Sequence, residues 1–221
     1  MSAAYAPQDR ESRPGARRAP ARECTDSQFP KGDTMADPIA HWQQEHANFS
    51  RLLDLLEAQV FTFHKGDHPN YDLMADIVQY LRGFSDRVHH PREDIAFARL
   101  VAKDPDAELI VNRLLQEHRV IAIAGDTLEK HIESALGDVM ASRAELEAAA
   151  DTYLVYYRNH ILTEDNRILP RAARLLTPED WAAVVLAVPA IADPLFGDTV
   201  ETRYRELRRQ IDREAGLSLQ G

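Results

Sequence analysis

The chain contains one cysteine, Cys24, among 221 residues. A single thiol excludes an intramolecular disulfide and a thiolate-built metal cage, and it fits a reducing compartment such as the cytoplasm. Basic residues are in the minority: 26 Lys and Arg face 36 Asp and Glu, for a net charge of -10. A nucleic-acid binder shows the opposite balance and a basic face, so no nucleic-acid partner is expected. No apolar run approaches the roughly 18 residues of a membrane span, and the N-terminus lacks an apolar stretch of the signal-peptide kind, so no membrane partner is expected. Nowhere do apolar and polar residues alternate with a period of two, which argues against half-buried strands.

What the chain does have is apolar content, 44%, enough to bury a sizeable core, and that content is arranged in helical stripes. Residues 1–35 stand apart: rich in Ala, Arg, Pro and Ser, without apolar periodicity, they read as a disordered N-terminal extension. Six basic and five acidic residues there do not make a nucleic-acid arm. Met35-Ala36-Asp37-Pro38 resembles a natural start, and Asp37 followed by Pro38 suits a helix N-cap and first turn. From there Ile39, Trp42, His46, Phe49, Leu53, Leu56, Val60 and Phe63 recur in steps of three and four. A second stripe runs from about Tyr71 to Val101, with His89, Glu93, Ala96 and Leu100 on one face and Pro91 expected to kink it. A third carries Val111, Leu114, His118, Ile121, Gly125 and Leu128, and a fourth Leu146, Ala150, Tyr153, Tyr157, His160, Glu164 and Ile168.

These periods, with short connections, predict an all-α fold: an up-down-up-down four-helix bundle over residues 36–176. A C-terminal extension over 177–221 adds two more helices. One opens at Thr177-Pro178-Glu179-Asp180, a capping-box-like start, and the last spans about Pro194 to Glu214.

The chemistry lies in a repeat. Gln44-Glu45-His46 recurs as Gln116-Glu117-His118, and His89 with Glu93 recurs as His160 with Glu164. All six of the residues His46, His89, Glu93, His118, His160 and Glu164 fall on stripe positions where Leu or Ile is expected. A spacing of four puts each His and Glu of a pair on one face, one turn apart. A buried carboxylate needs a cation or a metal, and no Lys or Arg shares the stripes with Glu93 and Glu164. Imidazole and carboxylate are transition-metal ligands. One His on an apolar stripe is ordinarily a core residue, but the pattern occurs twice, in the same order and at matched separations. It points to a two-metal site. His90, paired with Asp94, is an alternative ligand without a counterpart in the second half. His41, His64, His68 and His131 belong to helix ends, a loop and a solvated face.

At these segments, Gln44-Glu45-His46, His89-His90-Pro91-Arg92-Glu93-Asp94, Gln116-Glu117-His118 and His160-Ile161-Leu162-Thr163-Glu164-Asp165, the chain resembles the hemerythrin-like (HHE cation-binding) family over about residues 37 to 175. The resemblance implies a four-helix bundle around two iron ions, a non-haem di-iron centre. His46, His89, His118 and His160 would be iron-bound imidazoles, and Glu93 and Glu164 carboxylates bridging the irons. Oxygen carriers of the family place a second His four residues after the third-helix His, where this chain has Ala122. They also bridge with an Asp after the last His, where this chain offers Glu164. Four His and two Glu look more like the bacterial HHE proteins, with a coordination position left for a small diatomic or peroxide ligand.

The expected function is therefore binding or sensing of O2 or a related small oxidant (NO, peroxide). The alternatives are a di-iron redox enzyme that detoxifies peroxide or NO, in which Tyr80, Tyr153 or Tyr157 could assist, and a metal-free helical interaction module. Ferritin-like proteins use Glu-x-x-His, the opposite order at another spacing. Zinc suits the same imidazoles.

Overall fold

The computed structural model describes residues 37–137, 142–189 and 191–218. The N-terminal extension lies outside the described residues. Asp37 begins the first helix as expected: its carboxylate accepts from the Ile39 amide at 3.0 Å, with Pro38 behind it. Helix α1 runs Pro38–His64 and ends near Gly66, whose φ of 83° is left-handed, a conformation glycine adopts without a Cβ penalty. Asn70 caps α2, Tyr71–Tyr80.

The second stripe does form one continuous helical segment, but its middle is not an α-helix. After α2 come π-helical turns over Leu81–His89, which we call π1, and then α3, His90–Lys103. Pro91 has no amide to offer the Arg87 carbonyl, and the adjacent turn widens so that the His90 amide reaches back five residues to the Ser85 carbonyl. The same event recurs in the fourth stripe. Helix α5, Arg143–Thr163, passes through π2, Glu164–Ile168, into α6, Leu169–Leu175. Here Pro170 is the missing donor, and the Leu169 amide reaches the Glu164 carbonyl. The third stripe is an uninterrupted α4, Glu108–Leu136.

Side-chain contacts fix the topology. Between α1 and the second segment, Glu45 meets His89 and Phe63 meets Tyr71. The second segment meets α4 at Asp94 with His118 and at Arg82 with Asp126. Helices α4 and α5 meet at Glu117 with His160 and at Gly125 beside the Tyr153 ring, and the α5–π2 segment closes on α1 at Asp165 with His46 and Arg158 with Asp54. Residue numbers rise on one partner as they fall on the other in every case, so neighbours are antiparallel around a closed four-helix bundle. No strand occurs among the described residues, and none of their helices is long and apolar enough to cross a membrane.

Helix α7, Pro178–Ala187, opens on a complete capping box between Thr177 and Asp180, and Trp181 and Val184 pack with Trp42 and Phe97. The expected helix from Pro194 to Glu214 is shorter. Helix α8 is Arg205–Ser218, preceded by a 3-10 turn at Thr202–Tyr204. Asp193 explains the difference. Its carboxylate accepts from the Leu195 and Phe196 amides at 2.8 Å each and from the Tyr80 hydroxyl at 2.9 Å. Such local side-chain bonds to the backbone compete with helix formation. The resulting strap ties the C-terminal segment to the bundle, and Leu195, Tyr204, Leu207 and Ile211 join the core there.

The core has two apolar clusters, one around Phe49, Leu53, Tyr80 and Tyr157, the other around Trp42, Phe97, Leu114 and Ile168. A polar layer separates them.

Candidate metal centre

The polar layer is built from the repeated residues. His46, His89, Glu93, His118, His160 and Glu164 are all buried, both glutamates completely. His89 and Glu93, and likewise His160 and Glu164, are one turn apart, with Nε2 to Oε1 distances of 3.1 Å in both pairs.

Each glutamate faces both halves of the bundle. Glu93 turns Oε1 to His46 Nε2 (3.4 Å) and His89 Nε2, and Oε2 to His118 Nε2 (3.5 Å). Glu164 turns Oε1 to His160 Nε2 and His118 Nε2 (3.5 Å), and Oε2 to His46 Nε2 (3.5 Å). This defines two adjoining pockets. One has His46, His89 and a single oxygen from each glutamate; the other has His118, His160 and the remaining two oxygens.

The chemistry of these atoms calls for cations. All four glutamate oxygens, with His118 Nε2 and His160 Nε2, are fully buried without a hydrogen-bond partner. Leaving such groups unpaired in an apolar interior costs on the order of several kcal/mol per ion. His46 Nε2 and His89 Nε2 lie 2.9 Å apart, and two imidazole lone pairs at that distance need a proton or a metal between them. The donor set fits a metal pair: one ligand atom each from His46, His89 and Glu93 lies within 4.8 Å of the others, and the same holds for His90, Glu93, His118 and His160.

Four carboxylates behind the imidazoles hold them in place. His46 Nδ1 donates to Asp165 at 2.8 Å, His89 Nδ1 to Glu45 at 2.7 Å, His118 Nδ1 to Asp94 at 2.8 Å and His160 Nδ1 to Glu117 at 3.3 Å. A carboxylate on Nδ1 fixes the tautomer, presents Nε2 as the ligand atom and raises its basicity. The glutamate of each Gln-Glu-His segment supports the other His of its own half. The aspartate after each bridging-type glutamate supports a His of the opposite half. These four carboxylates stand inside the repeated segments, yet the sequence reading placed only Asp94, beside His90, whereas Asp94 bonds His118 and His90 faces Asp86; their recurrence beside every candidate ligand was the available signal.

Electrostatics follow the geometry. Burial disfavours a charged His46, but its bond to Asp165 and the charge of Glu93 outweigh that and hold its pKa at about 10. His118 is likewise lifted against burial, to about 11, by Asp94, Glu164 and Glu93. His89 and His160 are raised against burial by their glutamate neighbours. Glu93 lies well below the ordinary carboxylate range: burial pushes it up, and the surrounding imidazoles pull it further down. Glu45 falls to about 2 despite burial because His41 and His89 both bind it.

His90 enters the cluster too. Its ring stacks on His118 with centroids 4.2 Å apart. Its Nε2 meets the Ser85 hydroxyl at 3.2 Å and its Nδ1 lies 3.4 Å from Asp86. Tyr157 in turn donates to Ser85. His90 thus has a carboxylate near Nδ1 like the other four, but its Nε2 is engaged by Ser85 rather than turned to the glutamates. Its pKa is pushed well down by burial and by the His118 and His160 charges. Tyr153 is buried beside Tyr157, and Tyr80 is committed to Asp193. Of the other histidines, His41 reaches Glu45 at 3.3 Å, while His131 lines a groove between α4 and α5. The His64 side chain lies outside the described residues.

A helical bundle whose buried layer is two His-and-Glu pockets sharing two carboxylates defines a metal-binding helical protein. The model of the hemerythrin HHE cation-binding domain matches residues 37–172, and the chain belongs to that family. No curated protein matches it closely enough to add to this.

Proposed function

We propose that the chain holds two iron ions and binds or senses O2 or a related small oxidant such as NO or peroxide. His46 and His89 would hold one ion, His118 and His160 the other, with Glu93 and Glu164 spanning both. The observation that carries this reading is the division of each glutamate's oxygens between the two pockets. Two nitrogens and two oxygens per ion leave positions that a small molecule can fill. Iron supplies the redox chemistry and the affinity for a diatomic or peroxide. The protein's own part is to hold the imidazoles by their Nδ1 bonds, to keep the glutamates ionised, and to exclude water through Phe49, Tyr157, Phe97 and Leu114. The single cysteine supports a cytoplasmic setting.

The Tyr157–Ser85–His90 chain favours a second reading, a di-iron enzyme that reduces peroxide or NO, because it brings a phenol to the edge of the centre. Metal analysis of anaerobically purified protein tests the first claim: about two irons per chain are expected, and zinc alone after iron-replete expression overturns it. Steady-state reduction of peroxide or NO coupled to NADH or thiol tests the second, with sustained turnover marking an enzyme, and exposure of the ferrous protein to O2 separates both from a carrier. Oxidation within minutes is expected of a sensor or enzyme, whereas an oxygenated spectrum that persists for hours marks a carrier.

A further inference from the structure

A cavity of about 430 Å³ lies outside the metal centre, between α1, the π1–α3 segment and the strap around Asp193. Glu45 forms part of its wall, so the cavity and the centre share one side chain. Two other wall residues are buried yet leave polar groups unused. Arg92 is only 7% exposed. Its guanidinium approaches the Pro189 carbonyl at 3.5 Å and Glu45 at 3.9 Å. Arginine has five N–H donors, and among the described residues these two approaches leave donors of Arg92 free to face the cavity. Asn48, also 7% exposed, accepts from Gln44 Nε2 at 3.3 Å. That bond leaves one amide donor and one amide acceptor on the wall, whichever way the two amides are oriented. The remaining walls are apolar: Phe84, Phe196 and Ile191.

Charge restricts the occupant. Arg92 and His41 are opposed by Glu45, Asp193 and Asp198 around the same cavity, so an anion gains little there. The unused groups are donors from Arg92 and one donor and one acceptor from the Gln44–Asn48 amide pair, beside the ring of Phe196 and the edge of Phe84. The complement is a flat, neutral ring with carbonyl oxygens beside an N–H.

We propose that this cavity binds a neutral planar heterocycle bearing a cyclic amide or imide edge, the class of the flavin ring and the uracil-type bases. Carbonyl oxygens take the Arg92 donors and the free donor of the Gln44–Asn48 amide pair, the ring N–H donates to that pair's free carbonyl, and the ring packs against Phe196. Cavities of this size, mostly apolar with a few converging polar groups, are the usual form of small-molecule sites. The occupant touches Glu45, whose other oxygen holds His89 Nδ1 at 2.7 Å, so occupancy and the metal centre are coupled in both directions.

The test is equilibrium binding of riboflavin and of uridine to the full chain, metal-free and iron-loaded, with p-cresol as a ring lacking the edge and benzoate as an anion. One imide ring should bind at least about tenfold more tightly than either control. Arg92→Met and Asn48→Leu should each weaken it by about tenfold or more, the scale of a lost buried hydrogen bond, while circular dichroism shows both variants folded. The two probes separate a large ring from a small one. Binding to the metal-free chain keeps the result independent of the iron reading. The proposal is overturned if neither ring binds at millimolar concentration, if both folded variants bind like the unaltered chain, or if benzoate binds most tightly.

Discussion

Loading the centre with divalent metal should expel protons, in a number the site's charges predict. Four imidazoles are surrounded by six carboxylates: Glu93 and Glu164 in front, Asp165, Glu45, Asp94 and Glu117 behind. Without metal this surplus of negative charge keeps protons on the rings. His46, with its pKa at about 10, and His118, at about 11, are both charged near neutral pH, and His89 and His160 are raised as well. Metal must take the same Nε2 positions. Two divalent ions in place of four protons leave the charge of the layer unchanged, so we expect between two and four protons released per chain on full loading. At two protons per ion, affinity should rise about a hundredfold per ion for each unit of pH near neutrality. The assay is anaerobic titration of metal-free protein with ferrous ion in weak buffer containing a pH indicator, paired with chelator competition at stepped pH. Stability has a matching sign. A histidine raised in the folded state stabilises fully below its unfolded pKa of 6.5, and that contribution is lost as the pH rises through about 10. Metal-free protein should therefore melt at falling temperature across that interval, and loaded protein should not. Loading without proton release, or with affinity indifferent to pH, refutes the reasoning.

Glu93→Ala and Glu164→Ala should each lower metal content and, in the loaded protein, the melting temperature together, because metal bound only by the native state adds to folding free energy; full metal and unchanged melting would remove both from the ligand set. Asp94→Asn should weaken metal binding by about 10–100-fold, the usual effect of losing a support behind a metal-binding imidazole, measured by chelator competition. Pro91→Ala restores the amide that the Arg87 carbonyl lacks. It should draw the π1 turns toward α-helix and turn His89 off the centre, read as lost metal with retained helix content. A chain starting at Met35 should load metal and unfold as the full chain does, since residues before it carry no apolar stripe; aggregation or metal loss would show otherwise.

The stripes made the bundle legible, because steps of three and four across four long segments admit little else. The candidate ligands were legible because His46 and Glu93 occupy places where Leu is expected, and their repeats at His118 and Glu164 do the same. Less was visible where tertiary contact decides. Asp94 and Asp165 look like ordinary helix-surface acids until the bundle closes and brings them to His118 and His46. Pro91 announced a kink; that it would widen into several π-helical turns, and that Pro170 would do the same, depends on the carbonyl left unpaired. The stretch after Asp193 read as helix from Pro194 because the Asx-type bonds that halt it are local side-chain chemistry. His90 had no partner in the repeat, and its place beside His118 comes from the registry of the second segment against α4.

The crossed aspartates have a consequence for how the two halves depend on each other. Residues 37–104 carry three of the six candidate ligands and residues 108–175 the other three, yet His46 is oriented by an aspartate of the second half and His118 by an aspartate of the first. A separated half would expose its imidazoles without the group that aims them, and each glutamate would bring one oxygen to a pocket that no longer exists. Expressed as two pieces, the bundle should recover metal only when both are present, so that capture of the ion reports that the halves have met in the correct register.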